Sequence, residues 1–152
     1  MTTREFIKKS FEGTTRKTFC SSVFANKDLN GQITVYSYGY HYPLATIIDG
    51  KGFVNNRGYS NSTAKHINWA FSALADILGY DNVLGVPLTE GDSLTLKGIQ
   101  SSATRENERL VTLMDSKKRK DTQVYKWLKH DNEKTRDVLT VVRELIETRQ
   151  RG

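Results

Sequence analysis

The sequence predicts an α+β protein, with an antiparallel β-meander packed on one helix and a helical C-terminal region after it. Three observations point there. From about residue 18 to 56, apolar and polar residues alternate between clusters of turn residues. One strongly amphipathic segment follows at about 63–78, and helical periodicity dominates after about 103. At 152 residues the chain reads as a single domain, with a sheet-plus-helix core over 18–102 and a helical extension over 103–152.

The elements follow in order. The opening residues allow a short helix around Glu5–Phe11, with no clear packing partner. "TFCSSVFA" reads as a strand and "NKDLNG" as a turn, in which Asn30-Gly31 tolerates positive φ. "QITVYSYGY" is the next strand; in a regular strand Tyr36, Tyr38 and Tyr40 share one face and Ile33, Val35 and Ser37 the other. Pro43 is confined to a strand start, an edge or a bulge, because it has no amide to donate. "LATIID", the tight turn "DGKG" and "FVNN" complete the meander.

Ser62 or Thr63 then caps a helix whose stripe is Ile67, Ala70, Phe71, Leu74, Ile77 and Leu78, ending at Gly79. "DNVLGVPLTEGDSLTLKG" reads as loop with a short strand at Ser93–Leu96. Three helical stretches remain: "SATRENERLVTLMD", "DTQVYKWLKHD", and a last one capped by Asn132. The basic run "KKRK" lies between the first two.

Composition narrows the function classes. No window approaches the roughly 18 apolar residues of a membrane span, and the first residues lack the apolar stretch of a secretory signal. Cys20 is the only cysteine, which excludes an intramolecular disulfide and a cysteine zinc site. A reducing cytoplasm is the expected compartment. The net charge of +6 is uneven: residues 32–90 carry three cations and four acids, while residues 91–152 carry fourteen and ten. A basic surface of this kind attracts nucleic acid.

Residues 37–66 concentrate functional side chains, including two of the three histidines and four of the seven tyrosines. Tyr38 and Tyr40 are candidates for base stacking, or else cover a helix or another subunit. Counting about 100° per residue, His66 falls off the apolar stripe and Lys65 lies beyond it, so both are expected exposed near a helix start. Orphan amides there favour an anion, and Arg57 offers a forked guanidinium to the same anion. Tyr59, Ser60 and Thr63 add hydroxyl donors. As an enzyme, the set would use His41 and His66 as acid and base in metal-independent phosphodiester cleavage. No metal-ligand spacing and no dinucleotide motif occurs, so no cofactor is expected. Lys117, Lys118, Arg119 and Lys120 are candidate contacts to a nucleic-acid backbone.

"YSYGYHYPLA" and the later "YSNSTAKH" resemble a small uncharacterised domain of bacteriophage, mobile-element and archaeal proteins. Its pattern is S-Y-G-x-H-x-P-L-A, then N-x-R/G-Y-S-x-x-T-x-x-H. The matching positions are Ser37, Tyr38, Gly39, His41, Pro43, Leu44 and Ala45, then Tyr59, Ser60, Thr63 and His66. The resemblance covers about residues 33–75. It implies a phage-like source, hence a host cytoplasm, and groups His41, Arg57, Tyr59, Ser60, Thr63 and His66 without supplying a reaction.

The leading expectation is a nonenzymatic phage-type accessory protein that binds nucleic acid or another phosphate-bearing ligand. The alternatives are an inhibitor that binds a host protein, a metal-independent nuclease, and a binder of small signalling nucleotides.

Overall fold

The computed structural model describes residues 1–40, 42–57 and 61–151, with the backbone alone for Asn61 and Ser62. The chain divides into two compact units, Met1–Leu94 and Thr95–Gly152.

The first unit opens with α1 (Thr3–Glu12), capped by the Thr2 side chain accepting from the Glu5 amide and closed by Gly13 at φ 71°. The sequence leaves this segment without a partner, yet Phe6 and Ile7 are fully buried and belong to the core. The expected antiparallel meander forms, with five strands where the sequence suggests four, because "TFCSSVFA" turns at Ser21 (φ 56°) into two: β1 (Phe19–Cys20), β2 (Val23–Lys27), β3 (Ile33–Ser37), β4 (Pro43–Ile48) and β5 (Lys51–Asn55). Turn chemistry sets the register. Asp28 Oδ1 accepts from the amides of Asn30 and Gln32, and Gly31 takes φ 84°. Asp49 and Gly50, both at positive φ, form the two-residue link between β4 and β5. Pro43 starts β4, as its missing amide requires.

Helix α2 (Asn61–Leu78) follows, then a short turn at Tyr80–Asn82 and β6 (Val83–Val86), which pairs parallel to β5. Here the structure corrects the expectation of a loop with a strand at Ser93–Leu96. Residues 93–95 are irregular, Leu96 begins a helix, and the strand is "VLGV". Four residues centred on Gly85 give no alternation to read, and a parallel edge needs a partner that sequence does not display. The sheet is therefore mixed, ordered β1 to β6. Gly52 lets α2 sit close to it: a Cβ at that position would lie 3.0 Å from Leu74 Cδ1 and 3.2 Å from Leu78 Cδ1.

The core lies on one face of the sheet. Val23, Val35, Ala45 and Val54 meet Phe6 and Ile7 of α1 and Ile67, Ala70 and Leu74 of α2. The crossover from β5 through α2 to β6 brings the C-terminal ends of both parallel strands and the start of α2 to one end of the sheet.

The second unit is a helical hairpin of α3 (Leu96–Asp115) and α4 (Gln123–Arg151). The short link makes the helices antiparallel neighbours. The expected break at Asn132 is absent: α4 is continuous, and Asn132 is buried with its Nδ2 donating to Asn107 Oδ1 at 2.7 Å. A polar residue that resembles a cap in sequence is an interhelical hydrogen bond in the structure. Likewise α3 begins earlier than expected, at Leu96, where Thr95 accepts from the Gly98 amide.

Candidate functional site

The tyrosine row breaks at the end of β3. That strand stops at Ser37, and Tyr38 takes φ 63°, a left-handed conformation uncommon for a bulky residue. Tyr38 N–H donates to Ser22 O at 2.7 Å, Tyr42 N–H to Gly39 O at 3.1 Å, and Ser37 N–H to Tyr42 O at 3.0 Å. The reversal carries Tyr38 to the helix side, where its ring stacks on His66 at 5.4 Å. Tyr36 and Tyr40 remain together and pack with Phe24, at 5.1 Å from Phe24 to Tyr36 and 5.0 Å from Tyr36 to Tyr40. Burial, with Tyr40 and Asp28 adding to it, raises the Tyr36 phenol above its ordinary pKa, so it stays protonated.

His66 is not exposed as the helical count predicts; only 6% of it reaches solvent. Its Nδ1 is hydrogen-bonded to Ser37 Oγ at 2.6 Å, with Tyr38 on one side and Trp69 at 5.6 Å. The helical count omits the sheet end, over which the first turns of α2 lie. Burial lowers the His66 pKa from its ordinary 6.5, so the ring is neutral at pH 7. A neutral, covered imidazole offers no positive charge to a phosphate. Thr63 is buried beside it in the same turns, whereas Lys65 is exposed.

Arg57 also serves another end. Its Nε donates to Leu88 O at 2.6 Å and its Nη2 to Pro87 O at 3.3 Å, which ties the guanidinium to the segment following β6. Its backbone is fixed in turn: Arg57 N–H donates to Asn55 Oδ1 at 3.1 Å, and the Tyr42 hydroxyl donates to Arg57 O. Asn55, which the sequence reading passes over, is the centre of this network. Its Nδ2 donates to Pro43 O at 3.0 Å, and its Oδ1 also accepts from the Leu88 amide at 3.3 Å. An Asn closing a strand beside a Pro-started neighbour was the only available signal. His41, Tyr59 and Ser60 lie outside the described residues.

The sheet end thus unites Ser37, Tyr38, Thr63 and His66 from the motif segment, places Tyr40 on the opposite face, and directs the Arg57 guanidinium toward the β6 side. Its polar groups are largely satisfied by one another, the arrangement expected of a rigid support.

The basic run lies in the second unit, in the link between α3 and α4. Lys118, Arg119 and Lys120 are exposed and Lys117 is half-buried. Arg119 forms a two-pronged pair with Asp121, at 3.2 and 3.0 Å, and Lys120 lies 4.9 Å over the Tyr125 ring. Lys117 and Lys118 have no acidic partner among the described residues. Trp127 stands 60% exposed one turn into α4, next to Lys126 and near Lys129.

A cleft of about 570 Å³ lies beside Trp69, lined also by Arg4, Glu5, Lys8 and Asp76. Its charges are mixed and partly consumed: Arg4 donates to Ser72 Oγ and Lys8 pairs with Asp76. Among the described residues no three His, Cys, Asp or Glu side chains converge as metal ligands, and no helix is long and apolar enough to cross a membrane.

No curated protein and no solved structure matches the chain. Residues 5–79, which hold most of α1, strands β1 to β5 and all of α2, match the model of a family of unknown function (DUF8033).

Proposed function

We propose that the protein binds nucleic acid through the phosphate backbone, without cleaving it, as a phage-type accessory protein. The observation that carries this reading is the tip of the α3–α4 hairpin. Residues 116–130 contain six Lys or Arg against one acid, close to the whole net charge of the chain. Of these six cations only Arg119 has an acidic partner among the described residues, and Trp127, 60% exposed, lies between Lys126 and Lys129 in the sequence. Such a cluster gains binding free energy by releasing counterions condensed on nucleic acid, and it needs no preformed pocket. The resemblance of about residues 33–75 to a domain of bacteriophage, mobile-element and archaeal proteins supports the setting, and the burial of His66 favours binding over acid–base catalysis.

Titrating labelled DNA and RNA at several salt concentrations tests the reading. Affinity is expected to fall steeply with salt, with a log–log slope of about −0.9 per phosphate contacted. Converting Lys117, Lys118, Arg119 and Lys120 together to Gln should reduce that slope by as much as about 3 to 4. Absence of binding at low salt, or unchanged binding by the quadruple variant, overturns it.

A further inference from the structure

The cleft of about 570 Å³ opens between the first turns of α1 and the middle of α2, both in the first unit. Its volume lies in the range of roughly 300–1,000 Å³ that small-ligand sites occupy. Two helical stripes make its walls. Arg4, Glu5 and Lys8 lie on adjoining turns of α1, and the Thr2 hydroxyl holds the first of these by accepting from the Glu5 amide. Trp69, Ala73 and Asp76 follow at i, i+4 and i+7 on α2, so they share a face. The apolar part is held in place by the protein itself. Ala73 is 1% exposed and contributes only a methyl group, which leaves room beside the half-buried Trp69 indole. That indole packs on His66 at 5.6 Å, and His66 is bonded to Ser37.

The charges that line the cleft are of two kinds. Lys8 and Asp76 pair with each other at 3.7 Å. Arg4 and Glu5 stay apart. The guanidinium donates from Nη2 to Ser72 Oγ at 2.7 Å, which fixes it and leaves its other N–H donors unspent. It meets no carboxylate, and the Glu5 carboxylate meets no cation, among the described residues. Successive residues of a helix point about 100° apart, so these two do not face each other. The balance selects the ligand. A simple anion in the cleft would lie against Glu5 and Asp76, and a simple cation against Arg4 and Lys8. A molecule bearing both signs satisfies Arg4 and Glu5 together, and an apolar body fills the space over Trp69 and Ala73.

We propose that this cleft binds a small zwitterion, an α-amino acid with a large apolar side chain. Its carboxylate meets Arg4, its ammonium meets Glu5, and its side chain packs on Trp69 and Ala73. The site is independent of the nucleic-acid reading, because the basic hairpin belongs to the other unit.

The chain has two tryptophans, so Trp127→Phe leaves Trp69 as the indole that reports. In that background, titrating L-leucine or L-phenylalanine into the full chain should change the Trp69 fluorescence saturably. N-acetyl-L-leucine, which lacks the ammonium, and L-leucinamide, which lacks the carboxylate, should each bind about tenfold more weakly or worse, the usual loss for one charge-assisted hydrogen bond. Glycine, which has no apolar body, should leave the signal unchanged. Glu5→Gln should erase the preference for L-leucine over its N-acetyl derivative, and Arg4→Gln the preference over the amide. Both residues are exposed, so both variants should melt close to the parent. Should either melt well below it, the derivative series on the parent still decides. No saturable signal with either amino acid overturns the inference, and so does equal affinity for L-leucine and its two derivatives. A derivative that binds more tightly than L-leucine also overturns it, in favour of a ligand with a single charge. Variants that fold like the parent and keep both preferences place the ligand elsewhere and overturn it too.

Discussion

His66 and Lys118 both read as anion ligands in the sequence, one at a helix start and one in a basic run. In the structure the first is covered by aromatic rings and bonded to Ser37, while the second is exposed in a loop and has no acidic partner among the described residues. The same contrast extends to their surroundings. Around the start of α2, Ser37, Tyr42, Asn55 and Thr63 are buried, and Ser37, Tyr42 and Asn55 bond to neighbouring protein groups. At the hairpin tip Lys118, Arg119 and Lys120 are exposed. A polar group taken out of solvent needs a protein partner, and the partner consumes its capacity to bind anything else. At the sheet end the buried polar groups spend their hydrogen bonds on the protein itself.

Stability measurements can break this comparison, starting with the largest expected effect. Asn55→Ala removes a side chain that serves Pro43 O, the Arg57 amide and the Leu88 amide at once. With unsatisfied buried groups costing about 1–3 kcal/mol each, we expect a loss of about 3 kcal/mol or more in urea unfolding. A loss under about 1 kcal/mol would mean that the network does not hold the sheet end.

His66→Ala should cost somewhat less, about 2–3 kcal/mol, from the orphaned Ser37 hydroxyl and the space left between Tyr38 and Trp69. If it leaves the midpoint unchanged and abolishes ligand binding instead, His66 belongs to a binding site and the contrast fails.

The same residue gives a pH signature. Its folded pKa is lowered from 6.5, so the unfolded chain takes up the proton more readily. The His66 contribution is complete above the unfolded value and is lost as pH falls from there towards the folded one. Comparing the parent with His66→Gln in urea unfolding across this window should show the parent losing stability and the variant lacking that component. Parallel curves for the two would remove the titration from the account.

The smallest effects sharpen the other side of the comparison. Neutralising Lys117, Lys118, Arg119 and Lys120 should shift unfolding free energy by no more than about 0.5 kcal/mol, whatever it does to affinity. Asp76→Asn, which breaks the exposed pair with Lys8 at 3.7 Å, should likewise stay within about 0.5 kcal/mol. A large change in either would show that surface charge contributes to the fold.

The sequence by itself determined the local elements. Alternation and turn residues marked the meander, though not the turn that divides β1 from β2; Gly31 took the positive φ expected of its turn, the tight turn at Asp49-Gly50 formed, and the stripe from Ile67 to Leu78 fixed α2 and its buried face. These follow from interactions spanning a few residues, which periodicity records. The exposed "KKRK" link was legible for the same reason, since loop charge needs no partner. Tertiary structure decided what depended on distant partners. It paired β6 with β5, linked α4 to α3 through Asn132 and Asn107, and turned Phe6 and Ile7 inward. It also separated Tyr38 from Tyr40, because one left-handed residue reverses the side-chain alternation that a strand pattern assumes. Phe24 met Tyr36 only through strand register, a relation between segments that neither segment contains. His66 shows the reason most plainly: the helical count gives its direction around α2, but whether that direction meets water or a serine depends on the sheet end packed beneath it.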